Sequence, residues 1–461
     1  VTVSVAGNLV VDADAAAGHV KIGSAAALAL GDIDLNTADT ATINVNGAAM
    51  TTGTAITSSG TLDLTGDGVT LSENVTAKAL TIDASSDGGT TTGDMTLVVT
   101  NGKTLTTSTG DLTVKAKSVL DDGGNDVTVS VAGNLVVDAD AAAGNVKIGS
   151  AAALALGAIK GADADTVAIT TTGGTSNDLT LSSAISTNDI ALTLTSSGAI
   201  TGSDTNITVG ALTIDATEEF DIDGSNNGSG DITTDAAGAS SGNVSIKAAS
   251  VDAGAITTTS SASGAVASGT VVVTSTGAAG GTYVSGAVGL GAITTTGVVG
   301  ATSAGGAGGA VTIKADSITV GAVTTTGGAG HGTALGGAAG DIVLSSNTGA
   351  ITLSGAITAS GGVDAGTSTG GAAADITITQ EASGSRDASA LTINNTITAS
   401  HGVGDTAGAA GTIAITAKDI TVSDVITAGT VQLAADSTYT AGGTFTATSD
   451  LDGTILGADS G

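Results

Sequence analysis

The sequence predicts an all-β protein: a parallel β-helix, or β-solenoid, of roughly 14–20 stacked coils with few or no helices. Three observations lead to this fold class. A long phrase occurs twice, short runs alternate aliphatic and polar residues along the whole chain, and large side chains for a globular core are almost absent. Each coil is expected to hold two or three short strands and to span about 20–40 residues.

The duplicated phrase is the strongest of these signals. Residues 1–31 and 127–157 differ only where His19 is replaced by Asn145. Repetition at a fixed period is typical of proteins built from stacked units. We therefore divide the chain into solenoid module 1 (1–126), its duplicate module 2 (127–252), a region of shorter glycine-rich coils (253–430) and a divergent C-terminal cap or docking element (431–461).

The second half repeats a shorter phrase, an aliphatic residue followed by threonines. Alternation of aliphatic and polar residues over four to eight positions favours strands, and glycine favours the corners between them. The threonines are expected to point outward. Because the phrase returns at irregular intervals, these runs are not predicted to form a regular two-column array. The aliphatic residue falls at Ile256, Ile293, Val323, Ile357, Ile397 and Ile426.

Composition excludes several classes of protein. Two tyrosines, two phenylalanines and no tryptophan cannot fill the core of a 461-residue globule, but short aliphatic residues can fill a thin solenoid. With 11 basic and 43 acidic residues, the net charge is −32, which argues against nucleic acid as a partner. No apolar run approaches the roughly 18 residues of a membrane span, so membrane insertion is not expected.

The segment Gly305–Gly330, GGAGGAVTIKADSITVGAVTTTGGAG, resembles the coils of filamentous-haemagglutinin-like and autotransporter-passenger surface proteins of bacteria. The resemblance covers about 240–430 well and the first half more loosely. It implies a right-handed parallel β-helix that is extracellular, either secreted or on the cell surface, with a role in adhesion or biofilm attachment. It carries over no functional residue.

One acidic segment is a candidate calcium site. Asp221, Asp223, Asn226 and Asp231 surround Gly224, and hard cations such as calcium bind several oxygen ligands in a tight turn. No enzymatic activity, catalytic residue or obligatory cofactor is expected. The three histidines stand in unrelated contexts, and the sequence has no nucleotide-binding glycine motif.

These features predict an extracellular structural protein that self-assembles, head-to-tail or laterally, into a filament or surface layer. Val1 opens a phrase that recurs mid-chain at Val127, so a further coil, covalent or not, is expected before it. The alternative is a shaft segment of a large bacterial adhesin. A third class is an ice- or glycan-binding module. The expected partners are copies of the chain, adjoining coils of a longer chain, or cell-surface glycans.

Overall fold

A computed structural model shows two compact units, Val1–Gly202 (unit 1) and Ser203–Gly461 (unit 2). Its described residues contain parallel strands and no helix, which confirms the predicted all-β solenoid. The boundary between the units lies inside predicted module 2. The structure describes residues 9–13, 18–35, 39–45, 47–84, 96–123, 126–139, 144–161, 166–187, 190–224, 229–235, 241–260, 265–276, 286–301, 303–364, 368–380, 391–441 and 445–447.

Alternation of side chains explains why these segments form strands. In Thr40–Val45 the aliphatic side chains of Ala41, Ile43 and Val45 are buried, and the polar residues between them are half-exposed. Successive residues of a strand point to opposite faces, so this pattern buries one face and solvates the other. Each strand pairs in register with its equivalent one coil later, for example Thr40 with Thr61.

Unit 1 has two main sheets. Strands of the first sheet are His19–Ser24, Thr40–Val45, Thr61–Gly66, Ala79–Asp83, Leu112–Lys115, Asn134–Ala139, Leu154–Gly161, Leu179–Leu181 and Ile200–Gly202. Strands of the second are Leu9–Ala13, Leu28–Leu35, Met50–Thr52, Val69–Leu71, Thr96–Val99, Ser118–Asp121, Asn145–Ser150, Thr166–Thr171 and Ala191–Ser196. Shorter strands lie at Ile56–Thr57, Val75–Ala77, Thr104–Thr107, Val127–Ser130 and Ile185–Ser186.

The duplicated phrase repeats its strand pairing, although the equivalent strands of the two copies lie in different sheets. Leu9 pairs with Leu30 and Val11 with Ile33, with an irregularity in register between them. The copy repeats this arrangement, with the same irregularity, where Asn134–Ala139 pairs with Leu154–Gly161. The pairing of one coil with the next is therefore determined by the local sequence of the two coils.

Each coil of unit 2 contributes strands to three faces. Face 1 holds Ala211–Ala216, Val244–Ala248, Val271–Ser275, Val311–Ala315, Ile342–Ser346, Ile376–Gln380, Thr412–Val422 and Thr430–Ala441. Face 2 holds Glu219–Asp221, Ser250–Ala253, Ala287–Leu290, Ser317–Val320 and Ile351–Leu353. Leu391–Ile393 pairs with the end of the long strand Thr412–Val422. Face 3 holds Ile207–Val209, Ile232–Thr234, Ile256–Thr258, Ile293–Thr294, Val323–Thr324, Ile357–Thr358, Ile397–Ala399, Ile426–Ala428 and Phe445–Ala447.

The core of unit 2 is built from columns of aliphatic side chains. The six residues of the recurring phrase, from Ile256 to Ile426, are successive members of one column on face 3. All six are completely buried. Similar side chains stacked at about 4.8 Å fill the interior without aromatic residues.

The threonine runs differ from the prediction that they point outward. The middle threonine of three runs (Thr258, Thr295 and Thr325) is completely buried. Each of these hydroxyls donates to a glycine carbonyl oxygen, that of Gly269, Gly309 or Gly340 respectively. A buried hydroxyl needs such an acceptor. Each of these hydrogen bonds links a face 3 strand to the segment that returns towards face 1.

The described residues of the glycine-rich stretches between face 3 and face 1 are joined by backbone hydrogen bonds. Their amides and carbonyls form a chain of 2.8 Å hydrogen bonds that passes from coil to coil. A Cβ atom on most of these glycines would overlap a neighbouring carbonyl oxygen. Only glycine lets the backbones approach this closely. The chain of donors and acceptors runs through Gly306, Gly328, Gly337, Gly362, Gly371 and Gly402.

Candidate functional site

The predicted calcium-binding segment leads to an acidic surface on face 2. Asp221 pairs with Asp252 on the next strand, so the two carboxylates are neighbours in one outward-facing column. The next member of this column is Gly289, which pairs with Thr319. The column therefore has two acids followed by a position without a side chain.

The missing side chain at Gly289 opens a groove with a volume of about 530 Å³. Asp221, Asp223 and Asp252 contribute carboxylates to its lining, and Ser317 and Thr319 contribute hydroxyls. Asp223 is only 4% exposed, and its Oδ1 accepts a hydrogen bond of 3.1 Å from the amide of Ser229. The groove is thus a concave surface rich in oxygen atoms.

Electrostatic repulsion accompanies this arrangement. Burial, together with the charges of Asp221 and Asp223, raises the pKa of Asp252 above its ordinary value. In another outward column, on face 1, an aspartate lies beside a lysine of the next coil. Asp215 on face 1 pairs with Lys247, whose Nζ lies 3.0 Å from its Oδ1. In the groove, Asp221 instead pairs with another acid, Asp252.

The structure describes three of the four predicted calcium ligands. Asp221 and Asp223 line the groove, whereas the Oδ1 of Asp231 accepts a hydrogen bond of 2.7 Å from the amide of Ala255 at a corner before face 3. Asn226 lies outside the described residues. Asp252 was missed, because its position beside Asp221 follows from the pairing of two coils and not from closeness in sequence.

Among the residues that the structure describes, no group of three or more histidine, cysteine, aspartate or glutamate side chains is arranged to hold a metal ion. Calcium at this groove therefore stays a prediction. The groove differs from the predicted set in that it replaces Asp231 with Asp252.

Replacing Asp252 with asparagine is expected to stabilise the protein at pH 7 by at most about 0.5 kcal/mol, because solvent screens the charges around this half-exposed side chain. The raised pKa means that the ionised carboxylate is less stable in the folded protein than in the unfolded chain. This penalty is complete above the folded-state pKa and is absent below the ordinary aspartate value of about 3.9. Thermal melts at pH 7 and pH 3 measure the difference.

The matched control is Asp215→Asn, which removes the partner of Lys247. It is expected to leave stability unchanged or slightly lower at pH 7. A lower melting temperature for Asp252→Asn at pH 7 would contradict the assigned repulsion. The same melts with added calcium chloride test the predicted cation site, because bound calcium would stabilise the parent protein more than the Asp252→Asn variant.

Many other acidic and amide side chains have a structural role at coil corners. The side-chain oxygen of one residue accepts a hydrogen bond from a backbone amide of the next coil, at 2.7–3.1 Å. These bonds satisfy amides that the strands leave unpaired. The acceptors are Asn74, Asp111, Asp178, Asn206, Asp231, Asn243, Asp341 and Asp375.

A second groove lies on unit 1 and has the same origin. Gly149 occupies an outward column between Thr128 and Thr170 and leaves a cavity of about 450 Å³. Asp126 and Lys147 also line it. Each of the two grooves lies over a glycine in an outward column.

Face 3 carries a flat uncharged surface, which we call the neutral face. It consists of three outward columns on four successive coils, and the strand pairing and backbone hydrogen bonds hold these columns in register. The first column is Ala292, Ala322, Ala356 and Thr396, and the second is Thr294, Thr324, Thr358 and Thr398. The third is Thr296, Thr326, Ser360 and Ser400.

This surface corrects the expectation that the threonine runs would be irregular. Intervals between the runs vary in sequence because the segments between face 1 and face 2, as well as the glycine-rich segments between face 3 and face 1, vary in length. On face 3 itself the amide of Thr295 bonds the carbonyl of Thr324 at 2.8 Å, and Thr325 bonds Thr358 likewise. The outward hydroxyls therefore form a regular array.

No histidine lines either groove. His19 and His331 are exposed, and His401 is half-buried beside the carbonyl oxygen of Gly402. Phe220 is completely buried. Tyr283 lies outside the described residues.

In the described residues, no helix is long and apolar enough to cross a membrane. Comparison with known proteins finds no matching family model, no matching curated protein and no matching solved structure. The sequence and geometry of the chain itself establish a parallel β-solenoid.

Proposed function

We propose that this chain is an extracellular structural protein that works by associating with copies of itself, head-to-tail or laterally, in a filament or surface layer. The observation that carries the proposal is the repeated coil. Within each unit, coils pair strand by strand in register, and a duplicated phrase uses the same pairing twice. Because the same pairing recurs from coil to coil, coils of one chain are suited to pair with coils of an identical chain.

The placement outside the cell and the bacterial context come from the resemblance of Gly305–Gly330 to haemagglutinin-like surface proteins. Stability without disulfides is consistent with the buried columns and with the absence of cysteine. Dispersed carboxylates keep such a surface soluble, and they also oppose the contact of two copies. Association is therefore expected to depend on ionic strength.

Sedimentation and negative-stain electron microscopy test this proposal. The Debye length falls from about 30 Å at 0.01 M salt to about 8 Å at 0.15 M, so repulsion between the acidic copies weakens over this range. We expect monomers at low salt and filaments or sheets at physiological salt. Monodisperse monomers at high protein concentration, with and without calcium, would refute the proposal.

A second candidate is a shaft segment of a large bacterial adhesin. The duplication favours it, because a module that stacks on its own copy within one chain can lengthen by further duplication. Intact mass of the protein from its native source separates the candidates. A mass near 42.7 kDa supports the assembling subunit, and a much larger chain supports the shaft.

A further inference from the structure

We propose that the neutral face of unit 2 is the surface through which two copies of this chain pack side by side. This inference rests on the proposed self-association and names the surface that mediates it. The partner is a second copy, and the contact is the packing of one sheet face on another.

Charge is the first argument. The chain carries 43 acidic residues against 11 basic ones, so most pairs of surfaces from two copies would bring carboxylates together. The neutral face contains alanine, serine and threonine only, over four successive coils. Two copies can meet there without desolvating a charge.

Shape is the second argument. Backbone hydrogen bonds of 2.7–3.0 Å join equivalent positions of successive coils. Equivalent side chains of the three columns are therefore stacked in register. Their side chains are all small. Level columns of small residues allow two sheets to pack face to face at about 10 Å or less.

Exposed apolar residues border this surface. Val363 and Val403 follow its third column, and hydrogen bonds align them one above the other. They are 49% and 69% exposed, and Val299 on an earlier coil is 61% exposed. Few large hydrophobic side chains elsewhere in the described residues are as exposed, so a partner here would bury unusual apolar area.

The size of the surface predicts how strongly the copies bind. Four coils at about 4.8 Å and three columns at about 6.7 Å, with the valines, give on the order of 400 Å² per copy. A pair would bury about 800 Å², less than the 1,200 Å² at which stable interfaces begin. One contact of this size is therefore weak, and the pair is expected to form only at high protein concentration.

The test is the double variant Thr324→Lys and Thr398→Lys, which places two lysines in the second column of the neutral face. Lysine lowers the net negative charge, so general electrostatics predicts stronger association of this acidic protein. Packing through the neutral face predicts the opposite, because it would bury unpaired ammonium groups. We expect association, measured by sedimentation at physiological salt, to weaken by about tenfold or more.

The matched control is Thr312→Lys with Thr377→Lys, on face 1 of the same two coils. These threonines are also half-exposed, and one coil separates them, as in the test pair. Circular dichroism and thermal melts verify that both variants fold. The control is expected to associate at least as well as the parent protein.

Equal weakening of test and control variants, or none in either, would overturn the neutral face as the interface while leaving self-association in place. A parent protein that never associates would overturn both proposals. Binding of the parent, but not of the test variant, to ice or to an insoluble polysaccharide in the absence of self-association would assign the face to that ligand and would also overturn the inference.

Discussion

Replacing Gly337 with alanine is expected to lower the free energy of unfolding by about 2–4 kcal/mol, because the added methyl group has no room. The new Cβ would overlap the carbonyl oxygen of Gly306 on the preceding coil. The amide of Gly337 bonds the carbonyl of Gly328, whose own amide bonds that of Gly306, both at 2.8 Å. Relief of the overlap would separate backbones that these bonds hold together.

Urea denaturation followed by circular dichroism measures this effect. The matched control is Gly23→Ala, since a Cβ at Gly23 has no atom within 4 Å and the residue lies in an ordinary strand. There the substitution restricts the unfolded chain and is expected to be neutral or to stabilise by about 0.4–1 kcal/mol. Equal effects at the two glycines would show that the glycine-rich segments are not closely packed.

Replacing Ile357 with alanine is expected to destabilise the protein by about 2–5 kcal/mol. Ile357 is completely buried in the face 3 column, between Val323 on one coil and Ile397 on the next. Truncation removes its contacts with both neighbours and leaves a cavity between coils, and a stacked column has no mobile side chain to fill it.

Thr358→Ala is the control for this prediction, because the adjacent residue of the same strand points outward. A surface substitution of this kind is expected to change stability by no more than about 0.5 kcal/mol. Denaturant midpoints of the two variants, compared with the parent protein, provide the test. A similar loss for both would mean that the column contributes little, contrary to its complete burial.

The buried isoleucines and the middle threonines of face 3 differ in how well the sequence predicted their positions. Ile256 and Ile357 were assigned to strands because alternation is visible within a few residues, and both proved to be buried in one column. The middle threonines were misassigned. Thr295 lies two residues after the buried Ile293, so alternation places it on the inner face, and the Gly309 carbonyl accepts its hydroxyl hydrogen there.

The acids of the candidate site were also predicted only in part from the local sequence. Asp221 and Asp223 were found from local acid density, but Asp231 was grouped with them and Asp252 was not. In the structure Asp252 is the neighbour of Asp221 in one column. Asp231 instead accepts a hydrogen bond from a backbone amide at a coil corner. Which residues meet depends on the length of chain between successive coils, and this length varies from coil to coil.

The amino-acid sequence alone therefore determined the fold class, the strand segments and the buried aliphatic residues, because all of these follow from periodicity within single strands. The tertiary structure decided which coil lies beside which. That arrangement assembled the groove around Gly289, packed the glycine backbones and aligned the neutral face. These features join residues about 20–40 positions apart in sequence. Hydrogen bonding between successive coils is what makes these residues neighbours.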